Sequence, residues 1–206
     1  MKKFIISKTM KYIKKNTNYD DIKLKEIEYG LVSIYLMISK LIIIFSISLL
    51  LGIFKEMIIY MLIYNILRMP SFGLHATKSW ICLLSSTILF IGIPYLCIFL
   101  SIPMILKIII GILGILFMFK NAPADTKKKP IVSKKRRQTY KFISTLLTIL
   151  FSFGTILVKN DFISNCLVFA IIMQNFMISP TVYKIFKLPY NNYKTFLKTH
   201  PDFITD

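Results

Sequence analysis

Only three cysteines and two histidines occur in 206 residues. Cys82, Cys97 and Cys166 are odd in number and scattered through apolar segments, which excludes a disulfide framework and a zinc site. Acidic residues are scarce too, nine against 27 lysines and arginines, for a formal net charge of +18. The long hydrophobic runs hold few breakers and do not alternate with polar residues, so helices are favoured over a β-barrel. The N-terminus has no compact apolar core before a small-residue cleavage site and does not read as a signal peptide. No lipidation box is visible at either end.

What is present is hydrophobicity: 55% of the chain is apolar, against roughly 45–50% in soluble domains. Apolar runs of about 20 residues recur, the length a helix needs to cross a bilayer. The expectation is an all-α integral membrane protein forming one membrane domain over residues 1–206, with six transmembrane helices.

Residues 1–30 alternate Phe4, Ile5, Ile6, Met10 and Ile13 with Lys8, Lys11, Lys14 and Lys15. This spacing suits an amphipathic helix lying in the interface, its lysines toward anionic headgroups. Leu31–Phe54 predicts the first span, with Lys40 snorkelling. Met57–Leu67 is short for a second span, since eleven residues cover only about 17 Å as a helix. Trp80–Ser101 predicts the third, anchored by Trp80 and kinked near Gly92 and Pro94. A fourth runs to about Phe119, a fifth over Phe142–Val158, and a sixth over Phe162–Tyr183 with Gln174 and Asn175 near its middle.

Six spans place the N-terminus, the Arg68–Lys78 loop, the basic loop 120–141 and the C-terminus on one side, and 23 of the 27 lysines and arginines fall there. Only Lys40, Lys55, Lys107 and Lys159 lie elsewhere. The positive-inside rule makes that side cytoplasmic, with both termini inside.

The segment Arg68–Cys82 is a polar island, broken by Pro70 and Gly73, between two apolar runs, and it holds His75 seven residues before Cys82. A cysteine nucleophile reacts as the thiolate and needs a base or cation nearby; His75, Arg68 and Lys78 are the candidates. On an unbroken helix the seven-residue spacing separates the two by about 10.5 Å along the axis. A catalytic pair therefore requires a bend before the third span, which Pro70 and Gly73 make available. Taken alone, a histidine near a helix start is more often a cap or a surface group. Cys97 and Cys166 read as packing residues, and His200 as solvated. The basic runs Lys127–Lys129 and Lys134–Arg137 serve either as a topology determinant that attracts anionic lipid or as a landing site for an acidic peptide. They lack the interleaved aromatics of a nucleic-acid platform.

Taken together, Arg68, Gly73-Leu74-His75-Ala76, Ser79 and Cys82, followed by Ala122-Pro123-Ala124-Asp125-Thr126-Lys127-Lys128-Lys129-Pro130-Ile131 and a Lys/Arg run, resemble the accessory gene regulator B (AgrB) family. These are membrane cysteine endopeptidases of Gram-positive quorum sensing. The resemblance implies a peptidase facing the cytoplasm that removes the acidic C-terminal tail of an AgrD-type propeptide. The remainder is cyclised to a thiolactone or lactone. Carried over residue by residue, Cys82 is the nucleophile and His75 the base. Arg68, Gly73 and Ser79 match supporting positions, and Lys127, Lys128 and Lys129 match the basic stretch that meets substrate. Many members carry a second glycine where this chain has Phe72. Asp125 and Asn65, and behind them Gln174 and Asn175, are candidates for orienting His75. No metal or cofactor is called for, no nucleic-acid partner is expected, and a homodimer is compatible with the lateral surface of six helices. The alternative from another class is a small transporter or peptide-export partner without catalysis, for which Lys40, Gln174 and Asn175 would be the intramembrane polar groups.

Overall fold

The computed structural model describes residues 2–74, 78–126 and 129–200. The chain divides into two compact units, Met1–Gly52 and Ile53–Asp206.

In the first unit, α1 (Lys2–Asn16) buries Ile6 and Met10, while Lys8, Lys11, Lys14 and Lys15 remain exposed. The basic–apolar spacing thus forms the helix expected of it, and α1 packs on α2. The expected 1–30 segment is split at Thr17–Asp20. There the Asp20 carboxylate accepts the Lys23 amide at 3.0 Å and starts α2 (Asp21–Leu50), a single 30-residue helix. Such a cap satisfies an amide that the helix itself leaves open. Gly52, with φ of +69°, ends the run in a turn.

The second unit begins with α3 (Phe54–Ser71), whose 18 residues reach well past the eleven-residue apolar run at its centre. At about 1.5 Å per residue it is about 27 Å long, close to the thickness of a hydrocarbon core. Pro70 does not end this helix; it is buried within the last turn. The break comes at Phe72 and Gly73, both with positive φ (56° and 118°). The bend before the third apolar run is therefore present, two residues later than proline alone suggests.

The helix α4 (Ser79–Thr87) buries none of its nine residues. It passes through a π-helical turn, Ile88–Gly92, into α5 (Ile93–Phe99). The wide turn falls where Pro94 brings no N–H to the ladder, which places the kink expected at Gly92 and Pro94. Then come α6 (Met104–Asn121), α7 (Lys134–Leu157), α8 (Asp161–Ile178), α9 (Pro180–Ile185) and α10 (Asn192–Thr199).

The organising element is α8, half of whose 18 residues are buried. It takes part in two core clusters. One joins Tyr60 and Tyr64 of α3 to Leu89, Ile93, Cys97, Cys166 and Ala170. The other joins Leu67, Met118, Ala122, Ala124, Ile171, Ile178 and Tyr183. Close approach of α6 to α8 depends on Gly114, where an added Cβ would overlap the Ile171 side chain. Cys97 and Cys166 lie in the same cluster, both fully buried. They are packing residues as expected, but they pack together, which their separation in sequence concealed.

Among the described residues, five helices are long and apolar enough to cross a membrane: Asp21–Leu50, Ser79–Phe99 (α4 through α5), Met104–Asn121, Lys134–Leu157 and Asp161–Ile178. The expected second span, now α3, is absent from these five. It has the length but carries Lys55, Glu56 and Arg68 at its ends.

Candidate active site

The residues leading into His75 are held from three directions. From α3 itself, the Arg68 guanidinium donates to the Leu74 carbonyl at 2.8 Å and to the Tyr64 hydroxyl at 3.2 Å. From α8, the Met177 carbonyl accepts the Leu74 amide at 2.9 Å, and the Gln174 side-chain amide donates to the Phe72 carbonyl at 2.8 Å. From the loop after α6, the Ala124 carbonyl accepts the Gly73 amide at 2.9 Å while its own amide donates to the Ser71 carbonyl at 3.1 Å. Phe72 and Ala124 thereby form a short parallel bridge. Two sequence motifs some fifty residues apart become one backbone-paired unit.

The backbone explains the glycine at 73. With φ at +118°, a side chain there is strained, and a Cβ would stand 2.9 Å from the Met177 carbonyl oxygen. Phe72 also has positive φ (56°, with ψ of −135°), a region that suits glycine far better than phenylalanine. Its ring is used elsewhere, meeting Tyr140 of α7 edge to face at a centroid distance of 5.0 Å.

Ser79 opens α4 on the surface, and Cys82 sits half-buried one turn later, its amide bonded to the Lys78 carbonyl at 3.0 Å. Cys82 is thus the most accessible of the three cysteines. His75, Lys127 and Lys128 lie outside the described residues. Lys129 is exposed, its amide donates to the Thr126 carbonyl at 3.0 Å, and it lines a cavity of about 340 Å³ together with Phe72, Ile131, Arg136 and Tyr140. The basic loop and the segment before His75 therefore share one concavity.

The candidates for a third residue have other partners. The Asn65 amide donates to the Met61 carbonyl of its own helix at 2.7 Å. The Asn175 amide donates to the Gly114 carbonyl at 3.3 Å. The Asp125 carboxylate, on a residue only 4% exposed, accepts the amides of Ile131 (3.4 Å), Asn192 (2.9 Å) and Tyr193 (2.7 Å). Burial pushes its pKa above the usual carboxylate range, against the pull of those donors and of Arg137. Asp125 is thus the anchor that ties the start of α10 to the basic loop. Gln174, expected as an amide in an apolar helix and as a candidate for orienting His75, bonds instead to the Phe72 carbonyl; its polarity was the available signal, and its partner was not legible.

With helices as the regular structure of the described residues, five of them apolar and of membrane length and two presenting a basic loop between their ends, this is a multi-pass membrane protein. Residues 6–178 match the family model described as Accessory gene regulator B, and the chain belongs to that family. It is 30% identical over 187 residues to a putative AgrB-like protein of Clostridium acetobutylicum, covering 91% of this chain and 90% of that one. A putative AgrB-like protein of Listeria monocytogenes is 31% identical over 83% of this chain and 84% of its own length. The accessory gene regulator protein B of Staphylococcus aureus is 28% identical over 82% and 89% respectively. No solved structure matches the chain.

Proposed function

We propose that this protein is a membrane-embedded cysteine endopeptidase of an accessory gene regulator quorum-sensing system, acting on an AgrD-type propeptide. Cys82 is the nucleophile and His75 its base. The observation that carries the reading is the bridge between Phe72 and Ala124, with the hydrogen bonds around it. It aligns the segment entering His75 with the basic loop that would receive an acidic peptide tail, and both border the 340 Å³ cavity. A non-catalytic transporter has no need of so closely determined a backbone where α3 ends.

The chemistry follows from the residues. His75 takes the Cys82 thiol proton, and the Cys82 sulfur attacks the scissile carbonyl. The C–N bond breaks, the leaving amine receives the proton from His75, and the retained part of the peptide is held as a thioester. A thiol or hydroxyl within that part then displaces the Cys82 sulfur and closes a thiolactone or lactone ring. Water has to be kept out while the thioester lasts, and a half-buried Cys82 at the membrane edge serves that end. Lys127, Lys128 and Lys129 draw the acidic tail to the site, Arg68 and Gly73 hold the backbone, and amides at the start of α4, with Ser79, are the natural oxyanion donors.

In the bilayer, α3 is the second of six spans. The charge distribution then puts both termini, the basic loop and the active site on the cytoplasmic side, against anionic headgroups. The test is cleavage of a cognate propeptide in vesicles by Cys82→Ser and His75→Ala variants. Both should be inactive, and undiminished cleavage in both overturns the peptidase reading. A substrate without its own thiol should leave a Cys82-linked acyl group detectable by mass.

A further inference from the structure

A second, larger cavity lies on the other side of the basic loop. It measures about 760 Å³, within the roughly 300–1,000 Å³ range of ligand-sized sites. Its lining comes from the end of α6, the first two turns of α7 and residues 190–197, and includes Lys120, Lys134, Arg137, Lys141, Tyr190 and Tyr193. None of the described residues of Arg68–Cys82 borders it.

The four cations are disposed unequally. The Arg137 guanidinium stands over the Tyr193 ring, 3.1 Å from its centroid, so it is already engaged by one wall of the cavity. Lys120, Lys134 and Lys141 make no ion pair among the described residues, and no carboxylate lines the cavity. The site is thus built for an anion that it does not itself supply. The Lys141 ammonium stands 4.1 Å from the centroid of Phe119, and the same two helices expose Leu116, Phe119 and Phe142 beside the cavity. Both α6 and α7 are membrane-length apolar helices.

We propose that this cavity binds the headgroup of an anionic glycerophospholipid. Lys120, Lys134 and Lys141 take the phosphodiester, the tyrosines border the glycerol, and the acyl chains run along Leu116, Phe119 and Phe142. A cationic recess whose rim continues into lipid-facing apolar surface matches a ligand with a charged head and hydrocarbon tails. An acidic peptide would match only the recess, and this cavity lies off the segment that carries Cys82. The inference does not depend on the peptidase reading.

The experiment uses the full chain, delipidated in neutral detergent and offered phosphatidylglycerol or phosphatidylcholine, with bound lipid counted by native mass spectrometry. One phosphatidylglycerol should be retained per chain and phosphatidylcholine should not. Lys120→Gln with Lys141→Gln should weaken retention about 25-fold, at roughly fivefold per lysine. Lys184→Gln with Lys187→Gln removes the same charge outside the cavity and should change it less than about twofold. Gel filtration checks the fold of each variant, and the Lys120→Arg, Lys141→Arg pair should retain lipid.

Equal losses in the two Gln pairs would show unspecific surface attraction and overturn the site. Displacement of the lipid by equimolar glycerol 3-phosphate or inorganic phosphate would make the ligand a free phosphate. Displacement by an oligoglutamate peptide, dependent on the same two lysines, would make the cavity a peptide site. Either result overturns the lipid assignment.

Discussion

The side-chain amide of Gln174 donates to the backbone carbonyl of Phe72 at 2.8 Å, joining the C-terminal part of α8 to the residue that caps α3. The two are 102 positions apart, and Gln174 is fully buried. Removing the amide leaves a partly buried carbonyl without its donor, at a cost of about 1–3 kcal/mol. Gln174→Leu should therefore loosen the segment entering His75 and lower propeptide cleavage by about tenfold or more, tenfold corresponding to roughly 1.4 kcal/mol. Cleavage in vesicles at wild-type rate would show that this clamp does not support the site.

Phe72 makes a second, more unusual prediction. Its positive φ costs on the order of 1–3 kcal/mol, while its edge-to-face contact with Tyr140 returns about 0.5–1.5 kcal/mol beyond its burial. Phe72→Ala keeps the strain and loses the ring, whereas Phe72→Gly loses both. The glycine variant should melt about 2–4 °C above the alanine variant, the shift expected for roughly 1 kcal/mol in a chain of this size. The reverse order would mean that Phe72 is not strained. Gly73→Ala should be worse than either, because its Cβ meets the Met177 carbonyl oxygen, and cleavage should fall with stability.

Thiol accessibility separates the three cysteines. Cys97 and Cys166 are 1% and 0% exposed, and Cys82 is half-buried. In native membranes, small permeant N-ethylmaleimide should modify one thiol per chain, at Cys82, rising to three in SDS. A bulky charged maleimide should react slowly even from the cytoplasmic face. Native labelling at Cys97 or Cys166 would contradict their packing.

Asp125 gives a pH dependence. Burial raises its native pKa above the ordinary value near 3.8, so the folded protein holds that proton more tightly than the unfolded chain does. Its contribution is fully present below the unfolded pKa and is lost as pH rises through the native one. Attachment of α10, followed by limited proteolysis at residues 190–200, should weaken across that acidic window and then level off. Asp125→Asn should flatten the slope. It should also raise the cleavage rate at neutral pH, because an amide NH₂ would face either the Asn192 or the Tyr193 donor.

Much of the architecture was legible in the residues. The apolar runs, the basic amphipathic start, the kink near Pro94 and the need for a bend before Cys82 all follow from local physics. The errors were of one kind. The helix α3 looked too short because Phe54–Glu56 and Arg68–Ser71 are not uniformly apolar, yet they extend it as helix. Pro70 looked like a breaker alongside Gly73, but in a last turn its missing N–H removes a single hydrogen bond, and packing keeps it helical. The true breakers are Phe72, which no propensity would select, and Gly73. The carbonyls that Arg68 and Gln174 reach and the amides that Asp125 accepts were hidden because they are backbone groups, and a sequence does not show which backbone group lies nearby.

The bridge between Phe72 and Ala124 also bears on how members of this family can be recombined. Residues 71–74, 124 and 177 exchange backbone hydrogen bonds, so they behave as one inherited part distributed over three places in the chain. A chimera that imports only Arg68–Cys82 from a relative would set a foreign strand against a resident loop. One that imports the loop and the end of α8 as well would carry the joint intact. Exchange of specificity between relatives should therefore succeed by triplets of segments and fail by single ones.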